Sequence, residues 1–153
     1  MDRELTFRIV LEKPPAGVDF GLQKGRGSDY ETIQKQRSQA RDLFFQVIVG
    51  LKGGGKDAMP DFSGPFVQGS IGERFLYIDI GTYAGQKETS CSRRLKIPLT
   101  GVTWDMIDRM DSTRSVLEAR IPGTGKDGGP NCATVKPFNG WNVVRSTGRR
   151  SPR

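Results

Sequence analysis

Apolar residues recur at every second position through most of the chain, the period of a strand with one buried face. Leu5, Phe7, Ile9 and Leu11 alternate with Thr6, Arg8, Val10 and Glu12, predicting a first strand that ends at the turn signal Pro14-Pro15-Ala16-Gly17. Residues 18–22 alternate again. Leu43, Phe45, Val47, Val49 and Leu51 share one face of the strongest segment, and Phe44 and Ile48 add apolar surface to the other. That pattern predicts a central strand covered on both sides. Residues 74–81 place Leu76, Ile78 and Ile80 on one face and Phe75, Tyr77 and Asp79 on the other. Residues 93–99 turn Leu95, Ile97 and Leu99 inward.

Further strands are expected at 116–121, 133–138 and 141–144, the last two joined by Asn139-Gly140, the strongest two-residue hairpin signal. Residues 60–72, rich in Pro and Gly, read as ordered loop with a short strand at Phe66-Val67-Gln68. One short helix is expected near 103–110: Thr103 is a good N-cap, Asp105 suits the first turn, and Trp104, Ile107 and Met110 recur at helical spacing. Residues 25–41 carry two readings. Ser28 followed by Glu31 matches a capping box that would start a helix at Asp29. Beyond it only Tyr30, Ile33 and Ala40 are apolar, so a polar excursion between strands fits equally. Eight or nine short strands and 20 glycines predict an all-β fold, a single antiparallel β-sandwich with a β-barrel as the alternative.

The 153 residues suit one domain, placed at 1–144. The net charge of +7 invites a nucleic-acid reading, but its distribution weakens it. Arg145, Arg149, Arg150 and Arg153 fall in the last nine residues, which hold no acid, leaving +3 for residues 1–144. Residues 145–153 are expected to form a flexible basic tail. No apolar run is long enough to span a bilayer, and the start of the chain lacks the apolar stretch of a secretory signal. Cys91 and Cys132 are read as two independent, partly buried thiols, with one disulfide across a long loop as the alternative.

Histidine is absent, which excludes His-based metal sites, Ser-His-Asp triads and Cys-His dyads. Two phosphate motifs fail on inspection. Residues 50–56 match the first seven positions of a P-loop, but Asp57 replaces the hydroxyl that would hold magnesium, and Pro60 blocks the helix. Residues 123–128 have dinucleotide-fingerprint spacing but lead into Gly129-Pro130 rather than a helix. No cofactor is expected. Phe66, Phe75, Tyr77, Tyr83 and Trp104, sharing a side with Gln68, Arg74 and Asp79, would form an apolar pocket with a few polar groups. From these, Phe66, Gln68, Arg74, Tyr77 and Asp79 are the candidate ligand-binding residues, with Arg93 or Arg94 as the ion-pair partner of Asp79.

Four segments carry a family resemblance: residues 18–23 (VDFGLQ), 64–69 (GPFVQG), 74–79 (RFLYID) and 92–96 (SRRLK). Over most of residues 4–144 the chain resembles a small bacterial family catalogued as a domain of unknown function. The resemblance implies a stand-alone cytoplasmic bacterial protein and carries over no catalytic residue. The expected function is a non-enzymatic module binding a small molecule or a protein. Nucleic-acid binding through the basic surface and tail is a less favoured alternative, and a carboxylate-dependent enzyme using Asp79 a second. The chain is expected to be a monomer, or a homodimer joined through an exposed edge strand.

Overall fold

The computed structural model describes residues 3–15, 18–23, 35–37, 41–52, 58–82, 94–110, 114–124 and 140–145. Within them the chain forms strands β1 (Arg3–Glu12), β2 (Val18–Leu22), β3 (Lys35–Arg37), β4 (Leu43–Lys52), β5 (Asp61–Ser63), β6 (Phe75–Thr82) and β7 (Arg94–Pro98). Helix α1 (Trp104–Asp108) follows, then β8 (Ser115–Pro122) and β9 (Asn142–Arg145). The larger sheet runs β3-β4-β1-β8-β9, with β5 paired beside β4; the smaller runs β2-β6-β7. One continuous apolar cluster lies between them, drawing Phe7 and Ile9 from β1, Phe45 and Val49 from β4, Phe20 from β2, Ile78 from β6 and Ile97 from β7. Two open sheets sharing one core make a sandwich, and no barrel closes among the described residues.

Period-two burial builds this core. Along β4, Leu43, Phe45, Val47, Val49 and Leu51 are all buried while Gln46, Ile48 and Lys52 face solvent. The outer face of β4 is therefore less covered than its sequence predicts: Ile48 is 59% exposed. On neighbouring β1, Val10 is buried on that same outward side.

Pairing is antiparallel throughout the described residues except between β1 and β8, which run parallel with Phe7 opposite Leu117. Alternation reports which face is buried but not strand direction, so this exception to an antiparallel sandwich was not legible. The two strands are far apart in sequence, and a parallel pair needs a long crossover, here supplied by most of the chain.

Other expectations are adjusted. The short strand between residues 60 and 72 lies at β5, not at residues 66–68; there Gln68 makes only an isolated bridge to Phe75. Residues 35–37 form β3, so this part of the 25–41 excursion is extended. Arg145, the first residue of the expected tail at 145–153, instead ends β9 opposite Ser115. The helix start at Asp29, the strand at 133–138, the Asn139 turn, the rest of the tail, residues 53–57 and both cysteines lie outside the described residues. Helix α1 begins as expected: the Thr103 hydroxyl accepts a hydrogen bond from the Met106 amide at 3.2 Å, and Asp105 sits in the first turn. No helix among the described residues is long and apolar enough to cross a membrane.

Gly123, where the dinucleotide-like spacing begins, has a structural task. Its amide donates to the Glu12 carbonyl at 2.7 Å, and a Cβ there would meet that oxygen and the Pro14 backbone at 2.8 Å. The glycine lets the exit of β8 lie against the exit of β1.

Candidate functional site

Strand directions bring the start of β1, the end of β4, β5, the start of β6, the end of β7 and α1 to one end of the sandwich. The segment from Asp61 to Phe75 is fastened there at each step. Arg74 is the hub. Its Nε donates to the Asp61 carboxylate at 3.0 Å, and its guanidinium also donates to the Gly69 carbonyl. Both partners of the ion pair are mostly buried, at 23% and 16% side-chain exposure, so the charges are only partly screened. Gln68 and Phe75 exchange backbone hydrogen bonds at 2.9 and 3.0 Å. The Val67 amide donates to the Gly64 carbonyl at 3.1 Å.

A tight turn projects from this frame. The Glu73 amide donates to the Ser70 carbonyl at 2.8 Å, and Gly72 has φ +87° at the third turn position, the signature of a type II turn. Ile71, in the second position, is 71% exposed. Beside the turn lies a shallow cleft, half open to solvent, lined by Met59, Pro60, Phe62, Gly72, Arg74, Leu99, Thr100 and Val102. Met59, on its rim, is 56% exposed. The far wall is pinned by two indoles: Trp104 Nε1 donates to the Ala58 carbonyl at 2.6 Å, and Trp141 Nε1 to the Pro98 carbonyl at 2.8 Å. The cleft is thus an apolar hollow in ordered backbone, with polar groups from Arg74 and Thr100.

The five residues predicted from sequence are divided by strand alternation. Arg74 lines the cleft, whereas Tyr77, three residues on, stands on the outer face of the smaller sheet. There its ring packs 4.7 Å from that of Phe75, and Lys96 lies 4.4 Å above the Phe75 ring. Gln68 is bridged to Phe75 through its backbone, and Phe66 packs half-buried against the core. Backbone register sets Asp79 opposite Arg94, and its side chain lies outside what is described, as does Tyr83. Met59, Ile71, Gly72 and Thr100 were missed. A lone isoleucine between Ser70 and Gly72, inside a glycine-rich loop, was the available signal.

The described carboxylates in ion pairs are held by arginines. On the outer face of the larger sheet Arg8 pairs with Glu118 at 2.9 Å, and Arg120 reaches Glu12 at 2.9 Å and Asp42 at 3.1 Å. Burial alone would lower the Arg120 guanidinium. The hydrogen bond to Glu12 and the charges of Glu118 and Glu12 outweigh it and raise the group above its ordinary value. These contacts tie β1 to β8 and to the residue before β4. Among the described residues no three acidic or thiol side chains converge as a metal site.

A model of a family of unknown function, DUF5990, matches residues 5–144. The chain belongs to the DUF5990 family. The match to DUF5990 begins in β1 and ends in β9, and it includes every residue of the cleft. No curated protein and no solved structure matches the chain.

Proposed function

We propose that this DUF5990 protein is a binding domain rather than an enzyme, and that it recognises an apolar side chain of a partner at the cleft beside Ile71. The observation that carries this reading is the exposure of Ile71 on a rigidly built turn and of Met59 on the rim of the cleft beside it. Ordering a loop costs roughly 1–2 kcal/mol per residue in backbone entropy. Here that order presents large apolar side chains to water around a hollow. Large apolar side chains held in water beside an apolar cleft support an interaction site. The cleft is shallow and half open to solvent, which suits contact with an apolar side chain of a partner better than enclosure of a whole metabolite.

Methyl-labelled protein titrated with a short peptide carrying a single central leucine tests this. Shifts confined to the methyls of Met59, Leu99 and Val102 are expected. They should vanish in Thr100→Trp, which fills the cleft from an exposed position. Absent or scattered shifts would count against the reading.

A second reading rests on Phe75, Tyr77 and Lys96: paired aromatic rings beside a cation are the elements of a single-strand stacking platform. Anisotropy with a labelled oligothymidine should then show affinity falling with salt at a log–log slope of roughly −0.7 per phosphate contacted. Phe75→Ala should weaken it. Undetectable or salt-insensitive binding eliminates this reading.

A further inference from the structure

We propose that Met59 makes this end of the molecule sensitive to oxidation. A hydroperoxide takes its thioether to the sulfoxide, and the oxygen gained competes with the Gly69 carbonyl for the Arg74 guanidinium, loosening the turn that carries Ile71. Where it touches recognition, this rests on the proposed reading of the cleft. Met59 is 56% exposed. Of the other described methionines, Met106 is buried and Met110 is half-buried against the core. The exposure of Met59 is built into its backbone. The Ala58 carbonyl before it accepts the Trp104 indole N–H at 2.6 Å, and Pro60 after it has a fixed φ. Asp61 then pairs with Arg74. A chain fastened on both sides keeps the thioether at the rim, where a small oxidant in water reaches it, and susceptibility to oxidation follows such access.

The step balances with the oxidant alone. A lone pair on Sδ attacks the outer peroxide oxygen, and the S–O bond forms as the O–O bond breaks. The proton on the transferred oxygen goes to the departing oxygen, which leaves as water or an alcohol. Sulfur gives up an electron pair and the peroxide takes it. A dithiol reverses the step: it closes to a disulfide, and the oxygen leaves as water. The effect follows from what lies beside the sulfur. A thioether is a weak acceptor, whereas its sulfoxide is polar. Met59 and Arg74 line the same cleft. The Arg74 fork is held by Asp61 through Nε and by the Gly69 carbonyl. Gly69 sits between Gln68, bridged to Phe75, and Ser70, whose carbonyl closes the turn onto Glu73. Drawing the guanidinium from Gly69 therefore acts on the bridge and on the turn together.

Hydrogen peroxide treatment of the full chain, followed by peptide mass mapping and amide hydrogen exchange, tests this. Met59 should oxidise roughly tenfold or more faster than Met106 and Met110. Its sulfoxide should speed exchange at the Gln68, Glu73 and Phe75 amides by roughly threefold or more, with β1 and β4 unchanged. Treatment with both methionine sulfoxide reductases, one for each epimer, should restore the original rates, which oxidised cysteine would not allow. Met59→Leu, a volume-conserving change, should keep the fold and make these amides indifferent to peroxide. Equal oxidation of the three methionines overturns the proposal. So does a Met59 sulfoxide that leaves the exchange unchanged, or a Met59→Leu chain that responds as wild type does. The leucine peptide separates this from the reading of the cleft. If the peptide shifts nothing in the reduced protein while oxidation still loosens the turn, recognition falls and the switch stands. If it binds the reduced and oxidised forms equally, recognition stands and the switch falls.

Discussion

Phe7→Ala is expected to lower the unfolding free energy by about 4 kcal/mol, the middle of the range for a buried aromatic cut back to alanine. Phe7 is fully buried on β1, between Val47 of β4 and Leu117 of β8. Its ring meets Phe62 edge-on at 5.6 Å and Trp141 edge-on at 5.0 Å, contacts worth roughly 0.5–1.5 kcal/mol each beyond area burial. These partners fix the cleft wall: Phe62 lines the hollow, and Trp141 holds the Pro98 carbonyl. For a chain of this length the melting temperature should fall by roughly 8–16 °C. Phe7→Leu keeps most of the volume, loses the ring contacts and should cost about 1–2 kcal/mol. Urea unfolding followed by tryptophan fluorescence measures both. A loss under about 1 kcal/mol for the alanine variant would show that the core closes over the gap.

The second large effect is Gly69→Ala set against Gly72→Ala. Both glycines have left-handed backbone, at φ +91° and +87°, so alanine at either carries a strain of about 1–2 kcal/mol. Their surroundings differ. A Cβ at Gly72 meets nothing within 4 Å, whereas one at Gly69 would sit 2.6 Å from the Glu73 carbonyl and 2.9 Å from the Phe75 ring. The Glu73 oxygen belongs to backbone that the Ser70 turn holds in place, so the conflict cannot be relieved by rotating a side chain. Gly72→Ala should cost about 1 kcal/mol, and Gly69→Ala about 3 kcal/mol or more. Only Gly69→Ala should also speed amide exchange at Gln68 and Phe75, whose paired amides sit beside the collision. Equal losses at the two positions would mean that crowding at Gly69 is relieved.

Most of the fold was legible because burial in a sandwich follows the pleat. The inward residues of β1, β4, β6 and β7 could be named from alternation alone, and Thr103 announced its helix. Strand direction and partner choice could not, because β1 beside β8 depends on the tertiary arrangement. The candidate site was read less well. Arg74 and Tyr77 are close in sequence, yet odd spacing in a strand sends them to opposite faces. The hollow draws on β5, on turn residues and on the segment after β7, and loops carry no period to announce such convergence. Ile71 gave a signal only as an apolar residue where turn chemistry favours polar ones.

The parallel pairing of β1 with β8 also bears on how the chain is made. Arg8 and Glu118 lie 110 residues apart, so at roughly 5–20 residues per second the ribosome needs about 5–20 s after making β1 to deliver its parallel partner. During that interval β1 can join β4, but its other edge stays open, and its inward phenylalanine waits for an indole encoded later still. Synthesis rate and chaperone supply should therefore govern the yield of native protein more than final stability does, and a nascent chain stalled before residue 115 should aggregate.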